Sequence, residues 1–492
     1  MAYYDKITFV SLRRHSEEVT MQSGLWQRFR TKYIGDKAFY KMVLAIAVPI
    51  IIQNGITNFV GMLDNIMVGQ IGTEEMSGVS IVNQLHFVYM LCVFGGVGGI
   101  GIFTAQYCGA GDQEGIRRTF RVKLWIGFFL TIAAFLILNF FGTFLIGLYL
   151  NDESGMNAAS IQATLDFGKQ YLYILMFSFP AVFLLQAYSS TLRECGQTVL
   201  PMKAGVVAVL VNLLGNYLLI FGNLGMPKMG VQGAAAATVA SRYVEALIVM
   251  IWTHTHTTGQ PWAKGVFRKL LVPLREVGKY LKKGLPLLLN EALWSTAYAT
   301  LSQCYSMRGL SVVAGLNIAT TLNNLLRIIF ITMGTAIGII IGQLLGAGRL
   351  EEAKDKDNKM LFLSVAASVV TAVLLVAGSF FFPNFYNTSD EVRAIASSFL
   401  LADALSCPMD AFMNGAYFTL RAGGKTLRTF LFDSVSLWAV SVPVAFILSR
   451  FTALSAVWIY VFVIVANFFK VLLGYIWVRK NIWLVDLVGK QD

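Results

Sequence analysis

A chain of 492 residues that is 56% hydrophobic and only 13% charged carries about half the charge usual for a soluble globular protein. Its net charge of +12 would suggest nucleic acid in a soluble protein. Repeated runs of about 20 apolar residues instead match the length a helix needs to cross about 30 Å of hydrocarbon.

Twelve spans are predicted, at 39–66, 80–107, 124–150, 167–191, 200–222, 232–254, 284–306, 311–345, 359–383, 395–419, 429–449 and 453–478. The expected fold is therefore an all-α membrane protein. Residues 1–36 form a polar N-terminal segment without the apolar core or cleavage site of a signal peptide, so the first span is its own targeting signal. Residues 1–20 add nothing recognisable, which leaves Met21 as an alternative start. The basic residues are one-sided. With both termini inside, the inner segments hold 31 of the 39 Lys and Arg, and the outer ones hold only Lys169, Lys228, Arg308, Arg393 and Arg450. This is the asymmetry of a multi-pass protein of the cell membrane with cytoplasmic termini, and it explains the charge without nucleic acid.

An internal repeat organises the chain. Pro49 and Pro286 each open an apolar run, and Gln106-Tyr-Cys-Gly109-Ala-Gly111 returns as Gln343-Leu-Leu-Gly346-Ala-Gly348, both at an offset of 237 residues. After the third span the offset is 228: Pro180 matches Pro408, and Thr191-Leu-Arg193 matches Thr419-Leu-Arg421. Six spans per half is even, so the halves are parallel repeats about an axis along the membrane normal, with a cavity between them. The expected units are an N-terminal lobe at 37–254, a linker at 255–283, a C-terminal lobe at 284–480 and a tail at 481–492. Val266, Leu270, Leu274, Val277 and Leu281 alternate with Lys and Arg, which predicts an amphipathic surface helix for the linker.

Several patterns call for plain readings. Gly96-Val-Gly98-Gly99-Ile-Gly101 spells a nucleotide-binding signature inside a span with no preceding strand, so its glycines are expected to let helices approach. The five cysteines are odd in number, lack CxxC spacing and read as packing residues, with neither disulfide nor zinc indicated. His254 and His256, two apart, do not share a helical face and read as solvated interfacial residues.

Charges within spans are costly in lipid and usually face a protein interior or water-filled path. Those singled out are Asp64, Arg242 and Glu245, Glu291, Arg327, Asp403 and Asp410, and Lys470. Asp64 lies about 35 Å of helix beyond Lys41, which suits either an outer interface or the outer leaflet on an extended helix. Asp403 and Asp410, two turns apart, share a face and are expected to converge with Glu291 and Arg327, as functional acids or as a structural ion-pair network. Arg242 and Glu245 read as a local neutralising pair.

Leu63-Asp64-Asn-Ile-Met-Val-Gly69, the two Gln-x-x-Gly-Ala-Gly turns, Asn212-Leu-Leu-Gly-Asn216 and Gly230-Val-Gln-Gly233-Ala-Ala-Ala-Ala-Thr238 together resemble the multidrug and toxic compound extrusion (MATE) family, over nearly all of residues 37–480. Pro286-Leu-Leu-Leu-Asn-Glu291-Ala-Leu-Trp294 is similar to the seventh helix of a bacterial branch. The resemblance implies that Asp64 is the cation-coupling carboxylate, with Asn212, Asn216 and Thr238 as oxygen partners. Many members have Asp where this chain has Asn216, which leaves one acid at that site. Glu291 and Asp410 match the acids of members that use the second lobe, and Asp403 is extra.

By resemblance the chain is a transporter and not an enzyme. It would export amphipathic, often cationic compounds in exchange for H⁺ or Na⁺, the latter held at Asp64 or at Glu291 and Asp410, with no cofactor and as a monomer in the bilayer. A carboxyl group in low dielectric holds its proton to higher pH than in water, which supplies a usable coupling step. The runner-up is a flippase of lipid-linked oligosaccharides, which would need extra spans or a cavity rich in Arg and Lys. A channel or receptor is a third reading, without a charged ring or signalling domain to support it.

Overall fold

The computed structural model describes residues 26–150 and 158–489. The alternative start at Met21 and the outer loop at 151–157 fall outside them. Residues 26–33 are helical, and twelve long helices follow: α1 (Lys37–Gly69), α2 (Thr73–Ala110), α3 (Gln113–Gly147), α4 (Ala158–Glu194), α5 (Val199–Leu219), α6 (Val231–Thr255), α7 (Leu274–Ser306), α8 (Leu310–Gly346), α9 (Leu350–Phe381), α10 (Asp390–Ala422), α11 (Thr426–Phe451) and α12 (Ala456–Arg479). Every predicted span is found, and most run past their predicted ends. Among the described residues eleven helices are long and apolar enough to cross a membrane. The exception is α7, where Asn290, Glu291, Ser295 and Thr296 dilute the apolar run. Its polar groups find partners within the protein: buried Asn290 donates to Asp433 at 3.0 Å, and the Thr296 hydroxyl donates back to the Ala292 carbonyl at 3.1 Å.

Helix boundaries follow local chemistry. Asp112 caps α3 by accepting from the amides of Glu114 and Gly115, and Ser389 caps α10 through the Val392 amide. The repeated prolines sit inside their helices: Pro49 in α1, Pro286 in α7 and Pro408 in α10. In α4, a single tight turn at Met176–Ser178 precedes Pro180. Proline removes a backbone rung and bends the helix there. α11 is π-helical over Leu431–Val435 and Leu437–Ser441, just ahead of Pro443.

Within the first half α2 packs on α3 and α4, α4 on α6, and α5 on α1 and α6. Within the second, α10 packs on α8, α9 and α12, and α7 on α11. The halves meet through α2 against α7 and α8, and α1 against α8. Three apolar clusters show where this contact lies. Far from the termini, each half has its own core: Val68, Tyr89, Leu172, Phe179 and Val231 in the first, and Leu301, Phe330, Phe399, Leu437 and Ile459 in the second. At the end that carries the termini one core is shared, with Phe39, Val43 and Ile50 of α1 against Ile337, Ile340 and Leu344 of α8. The halves are thus joined at the basic end and packed separately at the other.

The duplicated turn closes that basic end. Gly109 of α2 lies against the main chain of Gln343 on α8, and Gly346 of α8 against the main chain of Gln106 on α2. The two glutamines cross over: Gln106 Nε2 donates to the Ala422 carbonyl at 2.9 Å, and Gln343 Nε2 to the Glu194 carbonyl at 2.7 Å. Gly99 meets Gly284 of α7 backbone to backbone, the close approach expected of the α2 glycines. The segment after α12 straps this seam. Trp483 is buried, Gln106 also donates to the Val485 carbonyl at 3.2 Å and accepts from the Leu487 amide at 2.7 Å, and Lys279 donates to the Leu487 carbonyl at 3.0 Å.

Three expectations need correction. The linker is not an amphipathic surface helix: after a single turn at Pro261–Ala263 it stays irregular to Pro273, broken by Gly259, Gly265 and Pro261, and the residues from Leu274 belong to α7. Its carbonyls are satisfied from α3, with Arg117 donating to Pro261 and Trp262 and Arg121 to Val266; Trp262 and Val266 are buried. Cys108 and Cys195 form a disulfide, with Cα atoms 5.4 Å apart, because the ends of α2 and α4 meet across 87 residues of sequence. Finally, His254 is not simply solvated: Nε2 pairs with the Tyr188 hydroxyl at 2.8 Å. His256 is exposed, stacked on Trp252.

Candidate functional site

α1 continues five residues past Asp64 and buries Val68, so Asp64 stands on the helix wall rather than at its end. Its Oδ1 accepts from Asn216 Nδ2 at 2.5 Å. Asn216 Nδ2 also points to Asn212 Oδ1 at 3.4 Å, and Asn212 Nδ2 to Thr238 Oγ1 at 3.3 Å. One turn of α5 places both amides on one face, and α6 presents Thr238 opposite. The four residues named for the first half therefore form one chain: carboxylate, amide, amide, hydroxyl. Asn212 and Asn216 are buried, and Asn216 Oδ1 has no hydrogen-bond partner among the described residues. An unpaired buried acceptor beside a carboxylate is costly unless something donates to it, and its chemistry fits a cation or a protonated carboxyl group. Arg242, one turn beyond Thr238, bonds Glu245 at 2.8 Å, as the local pairing predicted.

In the second half Arg327 of α8 bonds Asp410 of α10 at 2.7 Å, and Ser406 donates to the same oxygen at 2.9 Å. Asp403, two turns away on α10, accepts from Asn323 at 2.9 Å and from the Tyr460 hydroxyl at 2.6 Å. Three of the four residues expected to converge here do so. Glu291 does not join them. It receives the Tyr417 hydroxyl at 3.5 Å and lies against Gly95 of α2, on the seam between the halves. The predicted shared ion site of Glu291 and Asp410 is thus split, with Asp410 held by Arg327 and Ser406.

Sequence reasoning overlooked Asp433. It accepts from Asn290 Nδ2 at 3.0 Å and from Lys470 at 2.9 Å, which gives the intramembrane Lys470 its counter-ion. Asp433 is the fifth residue of the span predicted at 429–449, so its charge is legible in the sequence; its partners Asn290 and Lys470, 143 and 37 positions away, are not. Also overlooked was fully buried Lys123, which bonds Glu194 at 2.5 Å and the hydroxyls of Ser190 and Thr191.

The family model MatE matches residues 49–218 and 286–447, so each match opens on a repeated proline and lies within one half of the chain. This chain belongs to the MatE family. It is 26% identical over 423 residues to the probable multidrug resistance protein NorM of Thermotoga maritima, covering 84% of this chain and 86% of that one. It is 25% identical to the probable multidrug resistance protein YoeA of Bacillus subtilis, over 88% of this chain and 93% of the relative, and 25% identical to the multidrug resistance protein MdtK of Pectobacterium atrosepticum, over 82% and 86%. Among solved structures, MATE in the bent conformation superposes with a TM-score of 0.79 at 18% identity, over 90% of this chain and 95% of that one. An outward-facing multidrug resistance MATE transporter superposes with a TM-score of 0.78, also at 18% identity, over 91% and 96%. These structures carry the fold, and membership makes this MatE chain a multi-pass membrane protein of a multidrug efflux family. The matched stretches contain Asp64, Asn212, Asn216, Glu291, Arg327, Asp403, Asp410 and Asp433; Thr238 and Lys470 lie outside them.

Proposed function

We propose that this MatE chain exports amphipathic, often cationic organic compounds in exchange for H⁺ or Na⁺, with both termini in the cytoplasm. The observation that carries this reading is the chain from Asp64 through Asn216 and Asn212 to Thr238, with its unpaired buried oxygen. It lies in a half that shares a core with its partner only at the basic end. Occupation of Asp64 by a proton or Na⁺ exchanges the acceptor that Asn216 now serves. That alters how α1 packs on α5, and α1 also packs on α8 of the other half. An ion can move the equilibrium between two packings only by binding one of them better. Substrate favouring the other packing would complete an antiport cycle of alternating access. A carboxylate facing the space between the halves would favour cationic compounds. Arg327, which neutralises Asp410, argues for a structural part in the second cluster, while Glu291 on the seam is the acid of that half best placed to respond to lobe movement.

The test loads everted vesicles with a cationic dye and imposes a pH gradient or a Na⁺ gradient separately. One gradient should drive dye movement in the wild type, and Asp64→Asn should abolish it. Dye movement indifferent to both gradients overturns the reading, as does full transport in Asp64→Asn, Glu291→Gln and Asp410→Asn alike.

A further inference from the structure

At the basic end of the second half a cavity of about 410 Å³ opens between α9, α10, α12, the helical residues 32–33 and the segment after α12. Lys32, Lys354 and Arg479 line it, and none of the three has a carboxylate partner among the described residues. The acids near Lys354 are committed elsewhere: Glu352 pairs with Arg349 and Lys356, and Asp355 with Lys359. Asp357 is in the wall but only 1% exposed, and it accepts the Thr419 hydroxyl at 2.6 Å. Lys32 and Arg479 each lie over an aromatic ring, Tyr33 at 5.2 Å and Tyr475 at 5.3 Å, an amphipathic arrangement suited to a membrane interface. Deeper along α9 the lining turns apolar, with Leu361, Phe362 and Val365 facing Phe412 of α10. From Lys354 to Val365 is about 16 Å of helix.

An occupant that matches this gradient has an anionic head and an apolar body. We propose that the cavity binds an anionic phospholipid of the leaflet at the basic end, its phosphate held by Lys32, Lys354 and Arg479 and the start of one acyl chain against Leu361, Phe362 and Phe412. Anionic headgroups are attracted to basic pockets between helices on the cytoplasmic side. Three cations without a carboxylate partner among the described residues supply the charge complementarity at one rim, and the apolar depth separates this site from a site for a free anion. The cavity also reaches the strap: Asn481 and Trp483 line it, and the same segment bonds Gln106 across the seam through Val485 and Leu487. A lipid seated there holds the strap in its closed position, so its composition in the bilayer would bias the two halves towards closure at the basic end.

The test uses the purified full chain in detergent. Unfolding midpoints are measured with added phosphatidylglycerol, phosphatidylcholine or inorganic phosphate, for the wild type, for Lys32→Gln/Lys354→Gln/Arg479→Gln, and for Lys264→Gln/Arg268→Gln/Lys269→Gln. The last variant removes the same charge from exposed linker positions. Phosphatidylglycerol should raise the midpoint of the wild type and the linker variant equally, where phosphatidylcholine does not. In the rim variant, at least two thirds of that shift should disappear. Native mass spectrometry in an equimolar mixture of the two lipids should retain phosphatidylglycerol on the wild type and not on the rim variant. Equal shifts or equal retention in the wild type and rim variant overturn the proposal, as does an equal loss in the linker variant. A shift reproduced by inorganic phosphate assigns the rim to a soluble anion and overturns the lipid.

Discussion

Gly109→Ala should open the basic end of the molecule. A Cβ built on Gly109 lies 2.6 Å from the carbonyl carbon of Gln343 and 2.8 Å from its Cα. Carbon atoms in contact sit at about 3.5–4.0 Å, so α2 and α8 must part by about 1 Å where they cross. The obstacle is backbone on both sides, which cannot swing away like the end of a side chain. Overpacking of this kind costs about 1–3 kcal/mol. The cost falls on the closed arrangement alone, since separation of the helices removes the clash. The ratio of open to closed should therefore rise by roughly 5- to 150-fold. Gly346→Ala should act in the same way, with the Gln106 carbonyl carbon and Cα both 2.5 Å from the added Cβ. Because either change parts the same two helices, the double variant should show less than the sum. Spin labels at Lys203→Cys and Arg428→Cys, both exposed and one on each half, would read the separation by double electron–electron resonance, with the free cysteines Cys92, Cys304 and Cys407 replaced by Ala. A longer-distance population should grow in each glycine variant. Distance distributions unchanged in both would refute the assignment of the duplicated turn as the closure.

Arg327→Met strands Asp410, whose side chain is 18% exposed, and should lower stability by about 3 kcal/mol or more; thermal unfolding should show most of it restored in Arg327→Met/Asp410→Asn. Lys123→Met leaves Glu194 without its buried cation and carries a similar cost of about 3 kcal/mol, with recovery in Lys123→Met/Glu194→Gln by the same measurement. The exchange Asp64→Asn/Asn216→Asp keeps one carboxylate and one amide at the 2.5 Å contact, so its gradient-driven dye movement should exceed that of Asp64→Asn alone. Equal transport in the two would mean that the position of the acid, and not the pair, carries coupling.

The spans and the duplication were legible because both are written in periodic features: runs of about 20 apolar residues and prolines and glycines at fixed offsets. The pairing of Asp64 with Asn216 was accessible only through resemblance, since residues 152 positions apart leave no local trace of their contact. Asp433 stands in the predicted span 429–449, but its partners Asn290 and Lys470 lie on other helices and leave no local trace, and the disulfide is hidden by the absence of any spacing rule for cysteines on different helices. The linker misled because alternating apolar and basic residues suit a surface helix equally well as a loop whose apolar residues pack inward; Pro261, Gly265 and Pro273 were the contrary signal. Charge and family resemblance group Glu291 with Asp410, although neither says which wall of its helix a residue faces.

The repeat gives Glu291 its meaning. Its counterpart in the first half, 237 positions earlier, is Asn54, and the counterpart of Gly95 is Thr332. Asn54 donates to Thr332 at 3.4 Å, joining α1 to α8, as Glu291 lies against Gly95 and joins α7 to α2. The same seam contact is thus made twice, once by a neutral amide and once by an acid that can change charge. Closure by Gln106 and Gln343 is neutral in both copies. A change of charge at the seam would therefore act through one copy only, at Glu291, while in the proposed cycle Asp64 would act from within the first half through the packing of α1. If both acids influence the same opening, their effects meet at α8, on which both α1 and α2 pack, and the transport defects of Asp64→Asn and Glu291→Gln should combine non-additively. Additive defects in the double variant would mean that the two acids act on separate steps of the cycle.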